Sequence, residues 1–281
     1  MAKAKTPADL TITPRDRRFG RDTAQGRWWF AGDPVATAFH NSLSITFPKG
    51  EAMFIESVKA FREGTPPKLE AEIRAFTQQE VMHSREHVAF NKRVVEAGYD
   101  FAPLEAVVDE ILAIIKTRPP IVNLAATMAL EHYTAILASV ILGDKNYFKG
   151  VDREQADMWR WHAIEELEHK GVAYDTWLHA TKDWSKWRRW KLKSLMMLLV
   201  TINFWKKRVA GAAELLRQDG QERWARTRVW AYLIFKPGLL RKIFFPWVAY
   251  FLPGFHPWNH DDRHLIGKAE SDYQAAALAA A

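Results

Sequence analysis

Two Glu-x-x-His units constrain this chain more than any other feature of its sequence. They are Glu80-Val81-Met82-His83 and Glu166-Leu167-Glu168-His169. On an α-helix, residues i and i+3 are neighbours on one face, so each unit presents a carboxylate and an imidazole side by side. A single unit of this kind arises often by chance in a charged helix. Two units in one chain indicate a shared site.

Each unit interrupts an apolar stripe of helical spacing, and two further stripes carry one glutamate each in register. Burying carboxylates and imidazoles among apolar side chains is costly unless cations compensate the charge, so the pattern predicts metal ligands on four helices. The four stripes with their hydrophilic members are Phe47, Glu51, Phe54, Val58 and Phe61; Leu69, Ile73, Phe76, Glu80, His83, His87, Phe90 and Val94; Leu124, Met128, Glu131, Ala135, Ala138 and Leu142; and Met158, His162, Glu166, His169 and Ala173.

The breakers between the stripes predict that the ligands meet at one height. Gly64–Pro67 lies near the midpoint between Glu51 and Glu80. Gly143–Asn146 lies near the midpoint between Glu131 and Glu166. Residues equally far from the turn of an antiparallel helical hairpin come level, so each hairpin brings its carboxylates together. The longer segment Tyr99–Pro120 is typical of a crossover between two hairpins.

This ligand pattern resembles that of the ferritin-like di-iron carboxylate superfamily over roughly residues 40–180. The resemblance implies an all-α, ferritin-like four-helix bundle with additional C-terminal helices. It also implies two bound iron ions, with manganese or zinc as alternatives. The chain has no cysteine, which excludes thiolate ligands and cysteine-ligated iron–sulfur clusters. The ligands implied are Glu51, Glu80, His83, Glu131, Glu166 and His169.

A narrower resemblance rests on Trp161–Lys170, Tyr174-Asp175 and Pro253–Trp258. These segments are similar to the family described as predicted metal-dependent hydrolases. His162 with the second unit forms His-x-x-x-Glu-x-x-His, which is similar to the arrangement in di-iron arylamine N-oxygenases. That resemblance implies an extra histidine ligand, so His162 is either a seventh ligand or a neighbour that supports the ligands.

Four other residues are candidates for a supporting or additional role. His87 lies one turn beyond the first unit and could act as His162 does, while Glu165 competes with Glu166 for the metal. Tyr133 is expected to pack beside the ligands or support them. Asp175 is expected to accept a hydrogen bond from a ligand histidine or to be exposed.

Three regions follow from the changes in composition along the chain. Residues 1–40 are interpreted as a partly disordered extension, residues 41–180 as the di-metal bundle, and residues 181–281 as a basic, aromatic helical region. The last region either packs on the bundle or attaches to a membrane surface, in keeping with the net charge of +7 and the 13 tryptophans. The first residues have no apolar segment typical of a secretory signal, which favours a cytoplasmic protein, peripheral at the inner membrane at most.

The leading functional hypothesis is a di-iron oxidoreductase, oxygenase-like, that uses O2 to oxidise a hydrophobic small molecule and draws electrons from a donor protein. One alternative keeps the centre but uses it for metal-dependent hydrolysis with a bridging hydroxide. Another is a non-enzymatic bundle that stores metal. Nucleic acid is not an expected partner, because long apolar segments accompany the basic aromatic cluster.

Overall fold

The computed structural model describes residues 5–20 and 24–278, and every regular element in these ranges is helical. The prediction of an all-α bundle is therefore confirmed. A short 3-10 turn at Pro257–Asn259 precedes the last helix. The α-helices of the described residues are α1 (Pro34–Ser44), α2 (Phe47–Lys59), α3 (Pro67–Glu96), α4 (Ala102–Lys116), α5 (Pro120–Gly143), α6 (Arg153–His169), α7 (Val172–Ala180), α8 (Lys186–Gln218), α9 (Ala225–Ile234), α10 (Leu239–Ala249) and α11 (Arg263–Leu278).

Local sequence explains where several of these helices begin and end. Pro67 and Pro120 open α3 and α5 at the first helical position, where the missing N–H would have no helical partner. Asp33 and Asp152 cap α1 and α6 by accepting hydrogen bonds from amides of the first turn. Gly64, with φ of 71°, takes the left-handed conformation in the turn between α2 and α3.

Helices α2, α3, α5 and α6 surround the predicted ligands. Helix α2 packs on α3 and α5, and α6 packs on α5 and α3. Phe76, Leu124 and Met158 are fully or almost fully buried in this core. The predicted crossover contains α4, which buries Leu104 and Val108. Membership of the ferritin-like superfamily stays a prediction.

The region before the four-helix core is packed against it. Helix α1, which overlaps the predicted N-terminal extension, contacts α8, α3 and α9. Residues 5–20 run without regular helix along the bundle, and Ile12 and Phe19 are buried. Arg85 on α3 donates a hydrogen bond to the carbonyl oxygen of Arg17 at 2.7 Å. This segment therefore forms one wall beside the predicted site.

A close approach of three segments occurs between α6 and α7. A Cβ atom at Gly171 would lie 2.7 Å from Thr6 Oγ1 and 2.9 Å from Trp258 Nε1, so only glycine fits there without a shift. Lys170 Nζ lies 4.2 Å from the centroid of the Trp258 ring. The glycine thus brings the N-terminal segment and the C-terminal Pro253–Trp258 segment onto the end of α6.

The helices after residue 181 complete the hydrophobic core. Helix α8 packs on α1 and α5, α10 packs on α5, and α11 packs on α5 and α6. Met197, Trp205 and Tyr250 are buried in these contacts. Among the described helices only α5 is long and apolar enough to cross a membrane, and 72% of its most apolar window is buried inside the protein. That burial is typical of the core helix of a soluble bundle.

Candidate metal centre

Seven predicted ligands, contributed by α2, α3, α5 and α6, converge in the middle of the bundle. All are buried, with relative exposures of 4% or less. Six of them form two groups of three whose facing atoms are close enough to hold one cation each, and the seventh, Glu166, contacts both groups. The seven residues are Glu51, Glu80, His83, Glu131, His162, Glu166 and His169.

The first group consists of Glu51, His83 and His162, and one ligand atom from each lies within 4.8 Å of the others. His162 Nε2 is 3.9 Å from Glu51 Oε1 and 2.8 Å from Glu166 Oε1. The imidazole rings of His83 and His162 stack with centroids 4.0 Å apart. Ser84 donates to Glu51 Oε2 at 2.8 Å, which leaves Oε1 of Glu51 for the group.

The second group consists of Glu80, Glu131 and His169. His169 Nε2 lies 3.2 Å from Glu80 Oε1 and 3.4 Å from Glu131 Oε2. Two atoms bound to one cation at about 2.1 Å are themselves about 3 to 3.4 Å apart at tetrahedral or octahedral angles. The spacing in this group is therefore that of ligands around a shared ion.

Glu166 connects the two groups. Its Oε1 lies 2.8 Å from His162 in the first group, and its Oε2 lies 3.4 Å from His169 in the second. Glu80, His83 and Glu166 form a third combination with ligand atoms within 4.8 Å of one another. A carboxylate that presents one oxygen to each group has the geometry of a bridge between two ions.

Eight side-chain atoms of the candidate ligands lack hydrogen-bond partners within residues 5–20 and 24–278. Leaving buried polar atoms unpaired costs free energy, and most such atoms in proteins are paired. Nitrogen and oxygen donors of this kind suit iron, manganese and zinc, so the residues fit a two-metal centre. The unpaired atoms are Glu51 Oε1, both carboxylate oxygens of Glu80 and of Glu131, His83 Nδ1, Glu166 Oε2 and His169 Nε2.

A directed chain of hydrogen bonds orients His162. Ser44 Oγ donates to Asn91 Oδ1 at 2.6 Å, so it accepts from His87 Nδ1 at 2.8 Å. Burial lowers the pKa of His87 well below that of an ordinary histidine, which keeps the ring neutral and leaves Nε2 as an acceptor. His162 Nδ1 then donates to His87 Nε2 at 2.7 Å. This leaves Nε2 of His162, which lies 2.8 Å from Glu166 Oε1 and 3.9 Å from Glu51 Oε1, as the atom that would bind a cation.

The other two histidines are oriented in the same way. His83 Nε2 lies 3.0 Å from Glu165 Oε2, and donation to this carboxylate leaves Nδ1 of His83 free to bind a cation. His169 Nδ1 donates to Gln79 Oε1 at 3.0 Å, which leaves Nε2 for the second group. Glu165 thus lies behind His83, while Glu166 faces the groups.

The N-terminal segment supports this arrangement from outside. The Arg15 side chain donates to Glu168 Oε1 at 2.6 Å, and the Arg15 backbone N–H donates to Glu165 Oε1 at 2.8 Å. Gln79 Nε2 donates to Glu168 Oε2 at 3.0 Å. Arg15 therefore contacts Glu165, which orients His83. Through Glu168 it is also linked to Gln79, which orients His169.

Burial determines the protonation of the ligands in the absence of cations. It raises the pKa of Glu51, Glu80 and Glu131 well above that of an ordinary glutamate, and repulsion from neighbouring carboxylates raises it further. Burial also acts to raise the pKa of Glu166, but His169 and His162 outweigh it and hold that pKa well below the usual value. Burial lowers the pKa of His83 well below 6.5, aided by the neighbouring His162. The centre thus offers a neutral imidazole at His83 and one carboxylate, Glu166, that is already charged.

The polar groups of two suggested supporting residues are engaged elsewhere. The Tyr133 hydroxyl pairs with Thr201 Oγ1 on α8 at 2.7 Å. Asp175 accepts from His256 Nε2 at 3.0 Å and from Thr6 Oγ1. Tyr133 is buried in the core and Asp175 is partly buried, and the supporting role suggested for each stays a prediction.

Sequence reasoning missed Gln79, Arg15 and Ser44. Gln79 precedes a ligand glutamate, but glutamine is common on helices and its position carried no signal. Arg15 lies in a segment without periodicity, and its contacts span about 150 residues of sequence. Ser44 belongs to α1, which no ligand pattern marked. Only the packing of these segments against α3 and α6 identifies them.

The fold is an all-α bundle, and its core holds a buried group of carboxylates and imidazoles. These two features define the class of the protein as a helical protein with a candidate two-metal centre. The chain belongs to the family described as predicted metal-dependent hydrolase, whose model matches residues 13–261. That span includes Arg15, all seven candidate ligands and the Pro253–Trp258 segment. No curated protein and no solved structure matches the chain.

Proposed function

We propose that this protein is a metal-dependent hydrolase whose reaction takes place at a two-metal centre. The observation that carries the two-metal centre is the position of Glu166, with one oxygen toward each group. Membership of a family of predicted metal-dependent hydrolases supports hydrolysis as the reaction. The proposed ligands are Glu51, Glu80, His83, Glu131, His162, Glu166 and His169.

The charge of the ligand set suits two divalent cations. Four carboxylates balance the charge of two such ions, so the loaded centre has no net charge, which lowers the cost of burying it. Bound divalent ions would polarise a carbonyl or phosphoryl oxygen of the substrate and supply hydroxide at neutral pH. Glu165, Gln79 and His87 would hold the three imidazoles in the orientation that binding requires.

The surroundings of the first group favour a substrate with an apolar part. The half-buried ring of Phe47, at the start of α2, lies 4.9 Å from the His162 ring and 4.6 Å from the His87 ring, centroid to centroid. The first turn of α2 thus separates this group from solvent with an aromatic side chain. We propose that a hydrophobic part of the substrate packs there beside the bond to be cleaved.

Hydrolysis is tested with protein loaded anaerobically with zinc or manganese. We expect metal-dependent cleavage of at least one member of a panel of apolar carboxylic esters, amides and phosphoesters, without any need for O2. His169→Ala and Glu80→Ala should lose bound metal and activity while the far-UV circular dichroism is unchanged. Glu63→Ala and His264→Ala, at exposed positions, should keep both. Two ions per chain in both ligand variants, or no cleavage of any panel member, would overturn the proposal.

A second function is favoured by one specific observation. Two Glu-x-x-His units and two single glutamates from four helices are the donor set of di-iron carboxylate proteins, which react with O2. On this proposal the protein oxidises a hydrophobic small molecule and receives electrons from a donor protein. Absorption spectra of anaerobic, ferrous-loaded protein before and after O2 distinguish the two functions. An O2-dependent spectral change with O2 consumption supports oxidation, and O2-independent activity of the zinc form supports hydrolysis.

A further inference from the structure

Helices α8 and α10 expose apolar side chains at helical spacing. On α8 the stripe includes Leu195, Leu198 and Ile202, and on α10 it includes Phe244 and Phe245. Ile202 is 63% exposed and Phe245 is 78% exposed, although both helices bury their opposite sides in the core. Exposed apolar stripes on two helices, α8 and α10, indicate an interaction surface rather than isolated apolar residues at the surface.

The two stripes belong to adjacent helices. Trp190 Nε1 donates to the Phe251 carbonyl oxygen at 2.8 Å, and Lys193 Nζ donates to the Tyr250 carbonyl oxygen at 2.5 Å. Further along α8, Thr201 Oγ1 accepts from Trp247 Nε1 at 2.9 Å. These bonds join the C-terminal end of α10, and the two residues after it, to α8, and both helices pack on α5. We treat the two stripes as one surface, the α8/α10 face. Its apolar members are Trp187, Leu195, Leu198, Leu199, Ile202, Phe244, Phe245, Val248 and Leu252.

The segments that carry this face are strongly basic, and one acidic residue beside them, Asp144, pairs with Lys242 at 3.1 Å. Residues 186–213 and 223–252 contain fourteen Lys and Arg residues and no Asp or Glu, which leaves 26 basic against 33 acidic residues in the rest of the chain. Lys186, Arg188 and Lys191 are exposed at one end of the face, and Arg241 and Lys242 are exposed on α10. An apolar centre with a cationic border is the composition of a surface that binds anionic membranes.

A cavity lies where the two helices meet at one end of the face. It has a volume of about 540 Å³ and is lined by Trp187, Leu252, Arg189 and Lys193 among others. The buried Nε of Arg189 has no hydrogen-bond partner in the described part of the chain. Lys193 is 5% exposed, and its ammonium lies 4.8 Å from the centroid of the Tyr250 ring. Two cations beside an apolar, aromatic wall suit a phosphate group attached to a hydrocarbon.

We propose that the α8/α10 face binds a bilayer rich in anionic phospholipids and that the cavity takes the phosphate of one lipid headgroup. A second copy of the chain is a poorer occupant, because a two-fold contact would place one cationic border on another. Nucleic acid would pair with the basic residues but would leave the apolar centre without a partner. The proposal does not depend on which reaction occurs at the metal centre.

Co-sedimentation of the full chain with vesicles tests the face. We expect binding to vesicles of phosphatidylcholine with phosphatidylglycerol to be at least tenfold stronger than to phosphatidylcholine alone. Ile202→Glu combined with Phe245→Glu should lower binding to the anionic vesicles at least tenfold. Ile114→Glu, at an exposed apolar position on α4, is the matched control and should bind as the original chain does. Circular dichroism verifies that all variants are folded.

Three outcomes of the same experiment would overturn the proposal. They are no vesicle binding, equal binding to both vesicle types, and anionic binding that the double substitution leaves unchanged. Self-association that disappears in the double variant, without vesicle binding, would assign the face to a second copy instead. For the cavity, Arg189→Gln should reduce the preference for anionic vesicles at least threefold, and an unchanged preference would remove the headgroup from the proposal.

Discussion

The carboxylate of Glu165 lies 3.0 Å from Nε2 of His83, whereas Nδ1 of the same ring lies 3.7 Å from Glu166. One glutamate therefore holds the imidazole from behind, and its neighbour in sequence faces it from the candidate metal centre. This arrangement assigns different roles to two adjacent residues of the same type, and the two roles are experimentally separable.

We expect Glu165→Gln and Glu166→Gln to affect metal binding differently. The amide oxygen of a glutamine at position 165 still accepts from His83, so this variant should keep two ions per chain with an affinity about 10- to 100-fold lower. Glu166→Gln removes the proposed bridge and should reduce the stoichiometry below two. Metal analysis gives the stoichiometry, and competition with a chromophoric chelator gives the affinity. Equal losses in both variants, with Glu63→Gln unchanged, would contradict these assignments.

Metal binding should release protons at neutral pH. Burial raises the pKa of Glu51, Glu80 and Glu131 well above the usual value, so the metal-free protein holds protons that cations must displace. The apparent metal affinity should therefore fall as pH falls. Isothermal titration calorimetry in two buffers of different ionisation enthalpy measures the number of protons released. We expect the Glu80→Gln variant to release fewer protons on binding metal. A metal-binding heat that is the same in both buffers would show the prediction to be wrong.

Arg15→Met should destabilise the metal-free protein by about 3 kcal/mol, because it leaves the buried carboxylates of Glu165 and Glu168 without their cation. The Arg15 side chain is 14% exposed, which places the effect at the lower end of the range for buried pairs. Lys92→Met, which breaks an exposed pair with Glu96, is the control and should cost about 0.5 kcal/mol or less. Urea denaturation measures both, and similar losses in the two variants would refute a structural role for the Arg15 contact.

His40 should make the stability of the protein fall in mild acid. Burial lowers the pKa of His40 from 6.5 to about 4, so between these pH values the unfolded chain binds a proton that the folded chain does not. The contribution of His40 is therefore lost as pH falls from 6.5 to 4, by about 3 kcal/mol at the acid end. His40→Gln should show a shallower loss over this window in denaturation series at several pH values. His264→Gln, at an exposed histidine, is the control and should follow the curve of the original chain. A His40→Gln curve identical to that of the original chain would contradict the prediction.

Local sequence patterns predict the helices of the core and the set of residues that converge within it. Glu80 and His83 must share a helix face at a spacing of three, and the breakers at Gly64–Pro67 and Gly143–Asn146 place the ligand helices as antiparallel pairs. These are local rules of helix geometry and turn formation, and they do not depend on what packs around the bundle.

Packing of the bundle, rather than local sequence, gives Glu165 and Glu166 different surroundings. Periodicity distinguishes a buried face from an exposed one, but the residues from Trp161 to His169 are all buried because α5, α11 and the N-terminal segment cover α6. Because this part of the helix has no exposed face, the adjacent glutamates look alike in sequence. The supporting roles of His87, Arg15 and Gln79, and the meeting of α8 with α10, likewise depend on contacts between residues far apart in the chain, which local sequence rules do not describe.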